Sequence, residues 1–277
     1  MTTYKIVADS SSNMYSFGEI PFSYVPLKII TAAEEYTDCP ELNLLDMVEE
    51  IKKTKGTSGT SCPNIQEWLD AFGDAENIFG ITITSNLSGA YAAALQAKAD
   101  YLETHPGAKV HIFDSLSAGP ELRLIAEKIR ELLNAGKDFE TIVKEITEYQ
   151  KQTHLLFSLE SLTNLSRNGR VSPAVAAIAG VLGIRVVGKA SDEGTLEPLH
   201  KCRGENKALA TIYKEMKSHG YCGGKLRIAH CFNPKAADAV KESVLLEYPD
   251  ADVQIEPTTA LCSFYAEVGG LMIGFEG

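Results

Sequence analysis

Residues 81–91, with the sequence ITITSNLSGAY, decide how the whole chain is interpreted. They begin as an alternation of Ile and Thr that is typical of a buried strand, and they lead into an Ala-rich segment that is typical of a helix. Between the two, residues 85–89 are small and mostly polar. The first N–H groups of a helix have no partner within it, so a strand that enters a helix through hydroxyl residues predicts an anion site.

Strands and helices alternate on both sides of this stretch throughout the first half of the chain. This alternation predicts an α/β fold in which a parallel sheet carries helices on both faces. Pro63 is expected in the first turn of its helix, where a missing N–H costs nothing. The strands are expected at residues 4–8, 26–30, 78–84 and 109–113, and the helices at 42–52, 63–72, 88–103, 120–135 and 138–151.

Strands become more frequent from about residue 154 onward. The change predicts two domains, an N-terminal α/β domain at residues 1–153 and a C-terminal α+β domain at residues 154–277. The sheet of the second domain is expected to be mixed or antiparallel. Its strands are expected at 154–159, 184–190, 196–202, 225–231, 252–257 and 271–275, and its helices at 172–182, 204–219 and 234–247.

Composition limits the classes of partner. The chain has 277 residues and a formal net charge of −11, which argues against nucleic acid or an anionic membrane as a general partner. No apolar run is long enough to span a bilayer, so no stable membrane insertion is expected. The opening residues MTTYKIVADSSS resemble neither a signal nor a transit peptide, and the six cysteines show no metal-binding spacing. We expect a cytoplasmic protein with reduced thiols.

Three loops in the first half are rich in hydroxyl side chains, at residues 7–12, 59–63 and 84–89. In an open parallel sheet, ligands bind outside the carboxyl ends of the strands, which is where these loops are expected. Ser, Thr and Asn at a helix start also serve as ordinary N-caps. Both interpretations, capping and anion binding, stay open for each loop.

Sequence patterns of known catalytic sites are missing. Ser88 is the candidate nucleophile, but it lacks the G-x-S-x-G sequence of a nucleophile elbow. The chain has no G-x-G-x-x-G after a strand and no Walker lysine loop. Asp9 and Asp114 follow different strands and are weak evidence for a metal. We therefore expect no catalytic residue, no metal and no cofactor.

Taken in order, several short segments resemble motifs of the DegV family, whose well-understood members are bacterial fatty-acid-binding proteins. The resemblance extends over nearly the whole chain, and the ordered set is more specific than any one motif. The matching segments are IVADSS (6–11), TSCP (60–63), SGAY (88–91), FDS (113–115), FSLESL (157–162), NGRVS (168–172), GTL (194–196) and KCRG (201–204).

The resemblance implies a DegV-like fold that holds a long-chain fatty acid, such as palmitate or stearate, between two domains. It implies a carrier of phospholipid metabolism that is not an enzyme and that presents the carboxylate to a separate fatty acid kinase subunit. Residues 171–187 are expected to form either a tunnel wall or ordinary core, and Arg170 either holds the head group or is structural. The residues expected around the head group are Thr60, Ser61, Cys62, Asn86, Ser88, Gly89, Arg170 and Tyr265.

The C-terminal segment departs from the family. Members usually carry G-T-H-T-G-P-G before the final strand, whereas residues 261–271 read LCSFYAEVGGL. With Gly269 set against the last family glycine, Tyr265 takes the histidine position. A phenol can donate a hydrogen bond but cannot carry positive charge. Glu267 would repel an anion unless its side chain points away.

Alternatives stay open at this point. The changed C-terminal segment permits a binding module for a smaller polar anion, and Ser88 permits a hydrolase or phosphotransferase. Lys201, Arg203 and Lys207 form a small basic cluster that faces either a kinase or only solvent.

Overall fold

The computed structural model describes residues 3–18, 20–53, 58–175 and 183–277, and its N-terminal half is built on a four-stranded parallel sheet. The strand order is β2-β1-β6-β7. Side chains of a strand alternate between its faces, so Ile6 and Ala8 pack under α4 and α5 while Val7 packs under α2 and α3. The predicted α/β layering is thereby confirmed. These elements are β1 (Tyr4–Asp9), β2 (Phe22–Val25), β6 (Asn77–Thr82), β7 (Lys109–Asp114), α2 (Ile65–Phe72), α3 (Ala90–Thr104), α4 (Pro120–Asn134) and α5 (Phe139–Tyr149).

A three-stranded antiparallel sheet lies beside the parallel one, in the order β4-β3-β5. The strand predicted at residues 26–30 is part of this second sheet, so its assignment to the parallel sheet is wrong. Pro26 separates β2 from β3, because proline has no N–H to donate to a strand ladder. The remaining elements here are β3 (Lys28–Ile30), β4 (Glu35–Thr37), α1 (Leu44–Lys53) and β5 (Gly59–Ser61).

Helix α2 begins later than predicted. Asn64 is its N-cap and accepts from the Glu67 N–H, while the Glu67 carboxylate accepts from the Asn64 N–H. This reciprocal capping box places the first helical residue at Ile65. Pro63 therefore precedes the cap, and its predicted place in the first turn is wrong.

The C-terminal half is a six-stranded sheet in the order β10-β9-β8-β13-β11-β12. Only β11 and β12 pair in parallel, so the sheet is mixed, as one of the two expectations had it. Helices α7 and α8 cover one face, and the other face turns toward the N-terminal half. The elements are β8 (Thr153–Leu159), α6 (Thr163–Arg167), β9 (Ile184–Ala190), β10 (Leu196–Arg203), α7 (Glu205–Ser218), β11 (Leu226–His230), α8 (Pro234–Glu247), β12 (Val253–Pro257), α9 (Ala260–Ala266) and β13 (Leu271–Glu276).

Helix α4 joins the two halves through buried polar contacts. Arg227 on β11 donates to both carboxylate oxygens of Glu127 on α4, at 2.7–3.0 Å, and both side chains are almost fully buried. Thr153 at the start of β8 donates to Glu121 near the start of α4, at 2.7 Å. These contacts fix the spacing between the C-terminal sheet and the loops that precede α4.

Part of the second half lies outside the described residues. Most of the helix predicted at 172–182, and the centre of the expected wall at 171–187, fall on residues 176–182, which lie outside the described residues. Within the described ranges, no helix is long and apolar enough to cross a bilayer.

Candidate functional site

A cavity of about 270 Å³ lies between the N-terminal half and the six-stranded sheet. For comparison, an engineered apolar cavity of about 150 Å³ is enough to bind benzene. Most of the side chains that line it are apolar. They are Leu27, Ile83, Leu87, Ala118, Leu155, Phe157, Leu159, Leu165, Leu196, Leu261, Ala266 and Met272.

Strand β8 gives the cavity its long wall. Leu155, Phe157 and Leu159 occupy alternate positions and all point into the cavity, as the two-residue period of a strand requires. At about 3.3 Å per residue, these three side chains extend over roughly 13 Å. The intervening residue Leu156 packs into the core under α7 and α8 instead. An apolar channel of this shape suits an extended hydrocarbon chain.

Polar groups collect at one end of the cavity. Thr60 lies on β5 and Tyr265 lies on α9, and the Thr60 Oγ1 is 2.7 Å from the Tyr265 hydroxyl oxygen. Both side chains line the cavity, although 205 positions separate them in the chain. The other polar or small lining residues at this end are Ser61, Cys62, Ser88, Gly89 and Arg170.

The loop before α3 meets both the helix start and the cavity, and its anion-binding role stays a prediction. The N-cap of α3 is Gly89, so no side chain caps the helix. The Ser88 Oγ accepts from the N–H of Ala90, the first helical residue, at 3.2 Å, and Ser88 also lines the cavity. A Cβ at Gly89 would lie 3.1 Å from the Cys62 Sγ, so the two loops pack with little room for a larger residue. The hydroxyl and helix N-terminus therefore meet the Thr60 loop at one place.

Arg170 is the cation at this polar end. Its Nε donates to the Leu87 carbonyl at 3.1 Å, and its Nη1 donates to the Asn168 carbonyl. These two bonds hold the guanidinium against the loop at residues 84–89 and use only part of its five-donor fork. These bonds anchor Arg170 as its structural interpretation expects, and its side chain also lines the cavity, while a role in holding the head group stays a prediction.

Asn86 does not line the cavity. Its side-chain amide donates to the Glu193 carbonyl at 2.5 Å, which ties the loop to the turn before β10. Of the eight residues predicted around the head group, the structure thus places Asn86 apart from the other seven.

Glu267 points away from the cavity. Its carboxylate accepts from the Ser161 hydroxyl at 2.8 Å and from the Asn164 N–H at 3.2 Å. These bonds direct the charge toward α6, on the other side of α9. The repulsion considered for an anion beside Tyr265 therefore has no geometric basis.

The first hydroxyl-rich loop supports the site from behind. The Asp9 carboxylate accepts from the Ile83 N–H at 2.7 Å, and the Ser10 Oγ accepts from the Leu27 N–H at 3.0 Å. Burial raises the pKa of Asp9 to about 6, although hydrogen bonds from Ser11 and Ile83 oppose the shift. This loop holds two wall residues in place and does not itself reach the cavity, so only two of the three predicted loops form its polar end.

Asp38 is a supporting residue that the sequence analysis missed. It accepts from the N–H groups of Ala260 and Leu261 at 2.9 and 3.0 Å, and from the Tyr15 hydroxyl at 2.6 Å. It therefore caps α9 from a distant loop and fixes the helix that carries Tyr265. No local pattern marks this role, because α9 itself has only seven residues and was not predicted.

The part of the lining that the structure describes holds no general base of the usual kinds. Among the described residues, no histidine or carboxylate lines the cavity, so Ser88 lacks a partner that could activate it. Burial raises the pKa of the Cys262 thiol well above its usual value, which disfavours the reactive thiolate. The described residues also contain no group of three His, Cys, Asp or Glu side chains placed to hold a metal.

The chain is similar in sequence and structure to known proteins. A family model described as "Uncharacterised protein, DegV family" matches residues 3–276. A DegV domain-containing protein of Streptococcus pneumoniae is 43% identical over 281 residues, with 99% of each chain covered.

Two solved structures superpose over 99% of both chains with a TM-score of 0.97. One is a DegV family protein from Eubacterium eligens loaded with heptadecanoic acid, at 44% identity. The other is the Streptococcus pneumoniae Fatty Acid Kinase (Fak) B3 protein loaded with linoleic acid, at 43% identity.

Proposed function

This chain belongs to the DegV family, and on that premise we propose that it binds one long-chain fatty acid in the cavity between its two halves. The observation that carries the proposal is a narrow apolar cavity with its polar groups gathered at one end. The two solved relatives loaded with heptadecanoic and linoleic acid support it. The ligand class is therefore an acid with a long hydrocarbon tail, such as palmitate, stearate or an unsaturated relative.

Hydrophobic transfer accounts for the affinity of the tail. Burial of one CH₂ group contributes about 0.8 kcal/mol, so a palmitate chain gains on the order of 10 kcal/mol before costs. The loss of rotational and translational freedom removes a large share of this gain. The head group decides the rest, because a carboxylate that leaves water must be hydrogen-bonded.

We place the carboxylate between Thr60 and Ser88. Their hydroxyl groups, the N–H of Gly89 and the unused arm of Arg170 are the nearest donors that line the polar end. Tyr265 acts through Thr60: when the phenol donates to the Thr60 Oγ1, the Thr60 hydroxyl hydrogen is free to point at the ligand. Ser61 and Cys62 complete the wall, and Asn86 holds the loop in position from outside.

The protein is a carrier in this account and has no catalytic role of its own. It presents the carboxylate to a separate kinase subunit, which the name of the pneumococcal relative supports. The exposed side chains of Lys201, Arg203 and Lys207 are candidates for the surface that faces this partner.

We propose a cytoplasmic location, since six unpaired thiols suit a reducing compartment. We also keep the division into residues 1–153 and 154–277, because β8 begins at Thr153.

No observation favours the other two functions. A smaller polar anion would leave the long apolar wall of β8 without a partner, and a hydrolase would need a base beside Ser88.

A cavity-filling variant tests the proposal. Ala118 lines the cavity, so Ala118→Trp should block the acyl chain, whereas Ala92→Trp adds the same side chain to an exposed position of α3. After removal of bound lipid, both variants and the wild type are incubated with palmitate and analysed by native mass spectrometry. We expect one palmitate on the wild type and on Ala92→Trp, and none on Ala118→Trp. Equal loading of all three, or no loading of the wild type, would contradict the proposal.

A further inference from the structure

A second cavity, which we call the α9 groove, lies between helices α1, α6 and α9. Its volume is about 460 Å³, which is within the range of roughly 300–1,000 Å³ that is typical of small-molecule sites. Helix α9 separates it from the proposed fatty-acid cavity. Tyr265 and Ala266 line the fatty-acid cavity, whereas Phe264 and Glu267 line the α9 groove, and the two described linings share no residue.

The floor of the α9 groove is apolar. Val48 and Ile51 come from α1, where their spacing of three residues places them on one helix face. Phe264 lies on α9, and Val268 follows the end of that helix. All four pack in one hydrophobic cluster, in which Ile51 and Val268 are only partly buried. A hydrocarbon group on this floor would therefore cover apolar surface that still contacts water.

Two cations from different helices reach the same groove. Lys52 is in the last turn of α1 and Arg167 is in the last turn of α6, and both side chains are exposed. Among the described residues, neither forms an ion pair with a carboxylate. Lys53 pairs with Glu49 at 3.5 Å instead and does not line the groove. A cation in a last turn stabilises its own helix, but that role does not require two helices to place their cations at one groove.

Glu267 is the anion of the described lining, and its charge is satisfied without either cation. Its carboxylate accepts from the Ser161 hydroxyl at 2.8 Å and from the Asn164 N–H at 3.2 Å. These bonds hold the carboxylate against the start of α6. Lys52 and Arg167 therefore keep their donors available for a ligand.

We propose that the α9 groove is a second binding site, which takes a small anionic amphiphile with a phosphate or carboxylate head on a short hydrocarbon tail. The head lies between Lys52 and Arg167, and the tail lies on the apolar floor. The Arg167 guanidinium donates no hydrogen bond to the described residues, so its whole fork can bind the oxygens of the head. This site is additional to the proposed function, because the acyl chain is placed on the other side of α9.

The experiment uses palmitate-loaded protein, so that the fatty-acid cavity is already filled, and octyl phosphate as the probe. Native mass spectrometry counts the bound molecules, and a titration gives the dissociation constant. The variants are Lys52→Ala and Arg167→Ala. Lys53→Ala is the matched control, because it removes the same charge one residue away and leaves the groove lining unchanged. Inorganic phosphate is titrated alongside, to separate binding of an amphiphile from binding of a free anion.

We expect the wild type to bind one octyl phosphate in addition to its palmitate. Lys52→Ala and Arg167→Ala should each weaken this binding about tenfold, since each removes a charged hydrogen-bond donor. Lys53→Ala should keep the wild-type affinity, and inorganic phosphate should bind at least about tenfold more weakly because it has no tail to bury. Glu267→Gln should bind octyl phosphate about threefold more tightly, since it removes a nearby like charge. General loosening of the groove would not produce this opposite sign.

Binding of octyl phosphate only in exchange for palmitate would overturn the inference, because the probe would then occupy the fatty-acid cavity. Equal weakening by Lys53→Ala, or equal affinity for inorganic phosphate, would also overturn it. A palmitate-loaded wild type that binds no octyl phosphate would overturn the inference and leave the proposed function intact. A wild type that takes up no palmitate, yet binds octyl phosphate with the expected variant pattern, would contradict only the proposed function.

Discussion

At the scale of single residues, the hydrogen bond between Thr60 and Tyr265 organises the polar end of the cavity. It joins the three-stranded sheet to α9, and so fixes the Thr60 hydroxyl that we propose faces the ligand. The sequence indicated each residue separately, Thr60 from its motif and Tyr265 from the changed C-terminal segment. It could not indicate that they touch, because 205 positions separate them and α9 was not predicted.

Tyr265→Phe tests this contact. The change removes only the hydroxyl, so Thr60 loses the partner that orients it, and a hydrogen bond of this kind contributes about 1 kcal/mol. We expect the dissociation constant for palmitate to rise about fivefold in a titration with the delipidated protein.

Tyr213→Phe is the control, because the Tyr213 hydroxyl donates to Glu247 on the surface. It should bind palmitate as the wild type does. An unchanged affinity of Tyr265→Phe would show that Thr60 is oriented without the phenol.

At the scale of elements, the ends of α4 were predicted within one residue. The packing of α4 against the C-terminal sheet was not predicted. Nothing in the helix sequence marks Glu127 for burial, yet this residue is buried against Arg227, 100 positions away. Local periodicity indicates that a helix forms, and only the tertiary structure shows which polar residues it buries. The same limit explains why β3 was assigned to the wrong sheet.

Arg227→Met should destabilise the protein strongly. It removes the cation that binds both oxygens of the buried Glu127 carboxylate and leaves only the single hydrogen bond from Arg123. Loss of one partner of a buried pair costs about 3–5 kcal/mol in the free energy of unfolding. Chemical denaturation measures the change. The double variant Glu127→Leu/Arg227→Met should recover much of it, because the buried Glu127 carboxylate is then removed as well.

Lys217→Met, which breaks an exposed pair with Glu247, is the matched control and should have a much smaller effect. A single variant Arg227→Met as stable as this control would contradict the proposed role of the buried pair.

Glu121 on α4 should make the stability of the protein depend on pH. Burial raises its pKa from 4.5 to about 7, although Ser117 and Thr153 oppose the shift. Between these values the unfolded state loses its proton while the folded state keeps it, so the stability contributed below pH 4.5 is lost as the pH rises to 7. Relative to Glu121→Gln, the wild-type free energy of unfolding should fall by about 3 kcal/mol across this window.

Glu131, on the same helix, should change the free energy of unfolding with pH in the opposite direction, and Glu131→Gln tests this. Burial disfavours the Glu131 carboxylate, but Lys225 and Lys128 outweigh it and lower the pKa. Its contribution to stability is therefore lost as the pH falls below 4.5. Urea unfolding at a series of pH values measures both effects on the free energy of unfolding. If this free energy changes with pH in the same way for Glu121→Gln and the wild type, the raised pKa of Glu121 is refuted.

At the scale of the whole molecule, the cavity exists only because two differently built halves meet. The ordered motifs of the sequence indicated the family, the two-part α/β architecture and the class of ligand. Which faces of β8 and β13 point inward could not be read from them, because nearly every residue of both strands is buried, whichever face it lies on. The apolar wall of the cavity therefore emerges from the structure alone.

Ligand binding should stabilise both halves together. A fatty acid that binds only the folded state adds RT ln(1 + [L]/Kd), or about 2.7 kcal/mol at a hundredfold excess over Kd. Thermal unfolding of the delipidated protein should therefore shift to higher temperature as palmitate is added. Ala118→Trp should show no shift, and an equal shift in that variant would mean that palmitate acts elsewhere on the protein.

The most direct test of the account is mass spectrometry of the organic extract from freshly purified, untreated protein. We predict a long-chain fatty acid in near one-to-one proportion to the chain. An empty extract from a protein that also takes up no fatty acid when it is supplied would contradict the central claim.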